Sequence, residues 1–394
     1  MFGFDALRTI LESWNFWSRP PLDSVPRRVL SRPLSWTPDI ALVVQGVRRC
    51  GKSTLLTQLM TRSNLAPEDC TFVNFEDARL ASDLTFELLE SVLELAHARV
   101  PGERPHYFFF DEIHQVQGWE KWLHTKLERP GRDHFALTGS NAALLAGEFS
   151  TALTGRHRTI ELFPFDIQEF RTLKPGSTLE QYLAAGGFPR VITYGEPQAL
   201  LREYFTDILE RDVRGRVPVR STAVLTQLVK AVFESMGSEV SARSLAGLLG
   251  VTADTVGSYL DGCIAAYVLL PCPYFTFSER QRTARHRKLY PIDVALRDAV
   301  VTKTGLDLGK RLEAAVFLHL RRTHREVCFW RGKGEIDFVT QDQDGITPVQ
   351  VSWDGPKERH SRADVEFRKA FPQARPLVSV SRENAAAFLS AEAA

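Results

Sequence analysis

The stretch Gly46-Val47-Arg48-Arg49-Cys50-Gly51-Lys52-Ser53 keeps the spacing G-x-x-x-x-G-K-[ST], and Thr54 follows it. These residue types suit the cradling of phosphates. Two glycines let the backbone curl so that consecutive N–H groups face an anion. A helix opening at Lys52 adds partial positive charge from its amino end. Lys52 is then the group that reaches the β- and γ-phosphates of ATP, and the Ser53 hydroxyl is the Mg²⁺ ligand. Arg48 and Arg49 are further candidates for phosphate or subunit contacts, and read equally well as solvated. Cys50 reads as a bystander that lends its backbone, although oxidation of a thiol so close to positive charge could block nucleotide.

A second group lies downstream. Tyr107-Phe108-Phe109-Phe110 runs into Asp111 and Glu112. An apolar strand ending in two carboxylates presents them at the carboxyl edge of a sheet, where ligands bind in such folds. Asp111 is expected to hold Mg²⁺ through water, and Glu112 to orient or deprotonate an attacking water. The run Leu137-Thr138-Gly139-Ser140-Asn141 is another strand ending in small polar residues. Ser140 or Asn141 can contact the γ-phosphate or the water, and either serves as well as a helix cap. Arg156, after Gly155, is a candidate for stabilising charge on the transferred phosphoryl group, in its own subunit or across an interface, and reads equally well as an ordinary surface arginine. His114 reads better as a structural histidine than as a catalytic one.

These residues need a parallel sheet to position them. Strands are expected at 39–45, 71–75, 106–111, 134–138 and 159–162, alternating with helices at 52–61, 85–98, 119–128 and 141–148. Short apolar runs alternating with helical patterns imply an α/β fold, the sheet covered on both faces. Residues 1–38 precede it as an amphipathic helix and a Pro- and Arg-rich segment, and the domain itself spans 39–172. Residues 173–305 read as helical, with helix, Gly-containing turn, helix and strand over 240–275, the order of a winged helix. Residues 306–394 read as a small α/β domain.

Composition narrows the classes. The 394 residues are 44% apolar and 25% charged, with a net charge of +1, as in ordinary globular protein. The five cysteines form no CxxC pair, which argues against a zinc site or a disulfide framework. Asp5 and Glu12 interrupt the apolar amino terminus, so it does not read as a signal peptide. No run approaches the roughly 18 apolar residues of a membrane span. A cytoplasmic location without membrane association is the expectation.

The chain resembles a family of prokaryotic AAA-type ATPases with a distinctive carboxyl-terminal half. The loop, FFFDEIHQVQGWEKWL, LTGSNA, TGRHRTIELFPFDIQEF, YLAAGGFPRVI, RKLYPIDVALR, WRGKGEIDFV and PVQVSW carry the likeness. It implies ATPase chemistry, supports Arg156 and implies a winged-helix middle. The last domain looks like a PD-(D/E)xK nuclease fold, with Glu313 on its first helix, Asp337, and Gln350-Val351-Ser352 where an active enzyme has E-x-K. The lysine role is empty unless Lys333 fills it. The expectation is a nuclease fold that does not cut.

Residues 281–333 hold thirteen Lys or Arg against five Asp or Glu. Arg282, Arg285, Arg287, Lys288, Arg321, Arg322 and Arg325 are therefore candidate contacts to a DNA backbone. The first functional expectation is an oligomeric ATPase that engages DNA, with branched or forked DNA favoured. The second is an ATP-driven switch presenting a protein partner. A continuous basic stripe favours the first, and basic residues consumed by internal ion pairs favour the second.

Overall fold

The computed structural model describes residues 3–17, 21, 23–31, 34, 36–100, 102–139, 155–215, 217–219, 221–302 and 307–391. They fall into two compact units, Met1–Leu162 and Phe163–Ala394. No described helix is long and apolar enough to cross a membrane.

The first unit opens with helix α1 (Phe4–Trp14). Next come β1 (Ala41–Gln45), α2 (Lys52–Arg62), β2 (Cys70–Asn74), α3 (Phe86–Arg99), β3 (His106–Asp111), α4 (Trp119–Glu128), β4 (Asp133–Gly139) and β5 (His157–Glu161). The strands form one sheet in the order β2-β3-β4-β1-β5, every pair parallel. Phe108, Phe109 and Phe110 are all fully buried, as a strand covered on both faces requires. Each such side chain contributes roughly 1.5–3 kcal/mol of burial.

The order leaves β2 as an edge strand, and edges expose unpaired backbone groups. The amino terminus covers this one. Asn15 donates to the Phe72 carbonyl at 3.0 Å and accepts from the Phe72 N–H at 2.7 Å. Trp17 donates to the Cys70 carbonyl at 2.7 Å. Leu7, Ile10 and Leu11 of α1 join the same core as Val73 and Phe110.

The second unit begins with α5 (Ile167–Leu173), α6 (Leu179–Ala185), α7 (Pro189–Thr193) and α8 (Pro197–Asp207), and α8 runs on as a π-helical segment, Ile208–Val213. The expected helix at 203–213 thus starts earlier and ends in a wider turn. Then follow α9 (Thr222–Glu234), β6 (Glu239–Val240), α10 (Ala242–Leu249), α11 (Ala253–Ala265), β7 (Leu269–Cys272), α12 (Glu279–Ala284) and β8 (Arg287–Pro291). The three strands form an antiparallel sheet in the order β6-β8-β7. Ser221, Ser241 and Thr252 cap α9, α10 and α11.

After α13 (Val294–Val300) come α14 (Leu308–Thr323), β9 (Val327–Arg331), β10 (Glu335–Asp342), β11 (Gly345–Val351), α15 (Glu358–Ala370), β12 (Val378–Val380) and α16 (Ala385–Ser390). Their sheet has the order β12-β11-β10-β9, antiparallel except where β11 meets β12.

Candidate functional site

The loop between β1 and α2 is built by close approach. A Cβ on Gly46 would lie 2.1 Å from the Leu162 carbonyl oxygen, so no larger residue fits. Gly51 precedes α2 at φ 100°, where a side chain is strained. Arg49, at φ 71°, bears that strain as a non-glycine residue. Lys52 is 5% exposed, and its ammonium donates to the carbonyls of Gly46 at 3.2 Å and Val47 at 3.4 Å. The loop curls around its own lysine.

Facing it, Asp111 is 1% exposed and Glu112 8%. Lys52 Nζ stands 3.8 Å from Glu112 Oε1. The sheet order explains the meeting. β4 lies between β1 and β3, and its Thr138 hydroxyl bridges the two carboxylate residues. Thr138 Oγ1 donates to Asp111 Oδ1 at 2.5 Å and accepts from the Glu112 N–H at 2.9 Å. Glu112 sits in the left-handed region at φ 54°, a strained conformation of the kind that clusters at functional sites. Its other oxygen is 3.3 Å from His114 Nδ1, so that histidine belongs to the site's surroundings.

Burial pushes the Asp111 carboxyl up to about 6, and Glu112 adds to the rise. Hydrogen bonds from Thr138 and Ser53 and the charge of Lys52 oppose it. A buried carboxylate beside a serine hydroxyl is a pair of hard oxygen donors short of positive charge, which is the donor set Mg²⁺ prefers.

Two contributors were not singled out in the sequence. Thr138 lies inside the LTGSN run, where the polar residues after the strand carry the stronger local signal. Arg27 lies in what reads as a linker. It is buried, and its guanidinium donates to the Cys50 carbonyl at 2.8 Å. Gln58 of α2 straps the same segment, accepting from Arg27 N at 3.1 Å and donating to Val25 O at 2.7 Å. A lone arginine in a Pro-rich stretch carries no periodic signal.

Other expected residues are placed differently. Ser140 and Asn141, and the helix at 141–148, lie outside the described residues. Arg156 precedes β5, and its backbone carbonyl accepts from Ala41 at the start of β1. The loop follows Gln45, four register positions along the parallel strands, or roughly 13 Å at about 3.3 Å per residue. The Arg156 guanidinium donates to the Leu127 carbonyl at 2.7 Å. Arg156 thus stands at the edge of the sheet opposite to the loop. Arg48 pairs with Glu76 at 3.3 Å, while Arg49 is exposed. For Cys50 the oxidation alternative is disfavoured. Its thiol is fully buried, and burial pushes its pKa up despite Lys52 and Arg27, so it stays protonated and enclosed.

In the second unit, Glu313, Asp337 and Gln350 gather around Lys288. Lys288 is 1% exposed and pairs with Glu335 at 2.5 Å. Burial alone would depress its ammonium, but Glu313, Glu335 and Asp337 outweigh that and hold its pKa above the usual lysine value. Tyr290 donates to Glu313 at 2.6 Å, and Gln350 Nε2 to Asp337 at 2.6 Å. Lys288, not Lys333, is therefore the lysine of this cluster, and Lys333 is exposed.

The expected DNA contacts are mostly spent internally. Lys288 is enclosed, Arg282 pairs with Glu326, and Arg287 pairs with Asp261 at 3.0 Å. Arg322 donates to the Pro164 carbonyl at 2.9 Å, and Arg321 to the Arg325 carbonyl at 2.8 Å. Arg285 and Arg325 are exposed, Arg285 with its guanidinium 5.0 Å from the Tyr274 ring. No continuous basic stripe results from these seven residues.

Residues 39–171 match the family described as AAA domain. Residues 176–308 match a domain of unknown function, DUF8612. The chain is similar to an uncharacterized protein of Haemophilus influenzae, 28% identical over 344 residues, 82% of this chain and 84% of that one. It is likewise similar to the uncharacterized protein MJ1544 of Methanocaldococcus jannaschii, 29% identical over 333 residues, 77% of this chain and 72% of that one. Among solved structures it is similar to the Aeropyrum pernix ORC1 protein in complex with DNA. The identity is 14% and the TM-score 0.32, over 75% of this chain and 91% of that one. It is also similar to Cdc6p from Pyrobaculum aerophilum, at 12% identity and TM-score 0.26, with the same coverage of 75% and 91%.

Proposed function

We propose that the chain is a Mg²⁺-dependent ATPase whose nucleotide cycle works as a switch presenting a protein partner. One observation carries the reading: Lys52, Asp111 and Glu112 are buried together at the carboxyl edge of β1 and β3, joined through Thr138. In this reading the loop N–H groups and Lys52 hold the phosphates of ATP. Ser53 and Asp111 would hold Mg²⁺, which when bound offsets phosphate charge. Glu112 orients the attacking water and takes its proton. Arg27 fixes the loop carbonyl behind the phosphates. Ser140 and Asn141 remain candidates for the γ-phosphate. Arg156, if it acts in catalysis, does so on a neighbouring copy, and the proposed homo-oligomer rests on that.

The division at residues 172 and 305 belongs to the same proposal. Helices α9, α10 and α11 with the sheet β6-β8-β7 support the winged helix. Its second helix of the turn, α11, exposes Asp254, Ser258 and Asp261 and carries no Lys or Arg. A helix with that face offers phosphate no cation of its own, so the module is read as a spacer. The order α14-β9-β10-β11-α15-β12 supports the nuclease-like fold. Gln350 and the enclosed Lys288 support its not cutting.

The test is ATPase rate with and without single-stranded, duplex, forked and four-way DNA, at low and moderate salt. Mg²⁺-dependent turnover that is lost in Glu112→Gln and indifferent to every DNA is the expected result. Stimulation of more than about tenfold by any DNA, weakening with salt, would return the function to DNA engagement. No turnover in wild type under any condition would remove the ATPase reading itself.

A further inference from the structure

The second unit contains a cleft of about 570 Å³ between α8, its π-helical continuation, α9 and α13. That volume falls in the range of small-molecule sites, roughly 300–1,000 Å³. Its floor is apolar, from the buried Phe205 and Leu209. One face of α9 supplies Thr222, Thr226 and Lys230, spaced four residues apart and so stacked along one side of the helix. Among the described residues, neither threonine hydroxyl nor the Lys230 ammonium has a partner. Arg202 of α8 stands across the cleft. Its Nε donates to the Ala299 carbonyl at 2.9 Å, which fixes the guanidinium and leaves its terminal nitrogens unspent.

Two carboxylates also line the cleft, and both are neutralised by arginines that do not line it. Glu210 pairs with Arg214. Asp298 pairs with Arg297 at 3.0 Å and with Arg311 at 2.6 Å. The unspent charge facing the cleft is therefore positive. The π-helical segment Ile208–Val213 is an independent mark. The wider turn rotates Leu209 and Glu210 relative to α8, and such turns recur at functional sites.

We infer that this cleft binds a small organic phosphate ester, up to nucleotide size, with its phosphate between Arg202 and Lys230 and its apolar body on Phe205 and Leu209. Thr222 and Thr226 offer hydroxyl donors to the phosphate oxygens. This site is separate from the loop at Gly46–Thr54 and does not depend on the ATPase reading.

The probe is 1-naphthyl phosphate, titrated by fluorescence into the full chain. Saturable one-to-one binding at about 1 mM or tighter is expected for a ligand of this size. Lys230→Glu and Arg202→Glu should each weaken it by about tenfold or more, Lys52→Ala should leave it unchanged, and uncharged 1-naphthol should bind far more weakly. Both charge reversals sit on exposed positions, and melting curves check that they fold. Thr226→Trp, which fills the cleft without changing charge, is the second variant and should abolish binding. The inference fails if no saturable binding is seen, if binding follows Lys52, if 1-naphthol binds equally, or if the folded variants all bind like wild type.

Discussion

Among the described residues, two lysines lie buried beside carboxylates, one in each unit, and they are held in opposite ways. Lys52 is held by a curled loop, donates to the loop carbonyls of Gly46 and Val47, and stands 3.8 Å from Glu112. Lys288 lies in a regular strand, makes a 2.5 Å contact with Glu335, and is outnumbered by acids, since Glu313 and Asp337 share it. The first ammonium can exchange its partners for phosphate oxygens without stranding a buried charge. The second cannot leave, because three carboxyl groups would lose their counter-ion. The same residue type thus reads as a functional group where its bonds are long and replaceable, and as a structural one where they are short and oversubscribed.

The sharpest way to break that contrast is to delete each lysine. Lys52→Ala should lower ATP turnover by at least 10²–10³-fold, the scale of losing one preorganised donor to developing charge. It should cost about 1 kcal/mol or less in stability, since its present bonds are to carbonyls. Lys288→Met should do the reverse. Removing one partner of a buried ion pair costs about 3–5 kcal/mol, while turnover of the folded fraction should stay near wild type. Denaturant melts and ATPase rates on both variants decide it. If Lys288→Met melts like wild type, the carboxyl groups are neutral without it and the contrast collapses.

A smaller effect tests whether the loop of Lys52 is set from outside. Arg27→Ala removes the donor to the Cys50 carbonyl and should raise KM for ATP by about tenfold, the value of one buried charged hydrogen bond of roughly 1.5 kcal/mol. The kcat should fall less. Arg27→Lys should recover part of the loss, and an unchanged KM would make Arg27 a packing residue only.

How far each lysine could be read beforehand follows from the same contrast. The loop was legible because its chemistry is contiguous: glycines, lysine and serine stand at fixed spacing between a strand and a helix. Asp111 and Glu112 were legible for the same reason, as the end of an apolar run. Thr138 and Arg27 act only through register and a segment folding back, which no local pattern encodes. The second unit misled for a physical reason. Residues Arg285, Arg287 and Lys288 look like one basic cluster, yet β8 sends Arg287 toward solvent and Lys288 into the core, as strand alternation dictates. The acids that claim Lys288 come from Glu313, Glu335 and Asp337, between 25 and 49 residues away. The place of Arg156 was not legible, because strand polarity, absent from the motif itself, decides which edge of the sheet a residue faces.

The acid limb of activity gives the next test. Asp111 is held up at about 6 by burial and by Glu112. Proton and Mg²⁺ compete for it, so turnover at limiting Mg²⁺ should fall about tenfold per pH unit below that value, and saturating Mg²⁺ should move the limb lower. A limb that ignores Mg²⁺ would assign it to another group.

The remaining effect is a gain, and it comes from the oversubscribed lysine. Burial and Glu313 push the Asp337 carboxyl up to about 7, against an ordinary 3.8. A folded-state carboxyl above its unfolded value binds its proton more tightly in the folded chain. Its contribution to stability is therefore present below the unfolded value and is lost as pH rises from about 4 through about 7. Asp337→Asn removes that loss. The asparagine carbonyl can still accept from Val351 N, now 2.8 Å from Asp337, and its amide can donate to Gln350 Oε1, which is buried without a partner. The variant should melt above wild type at pH 8. The gap should close toward pH 5, where the wild-type carboxyl is already protonated. A gap that instead widens toward low pH would mean that Asp337 stays ionised throughout, and that Lys288 has charge enough for all three acids.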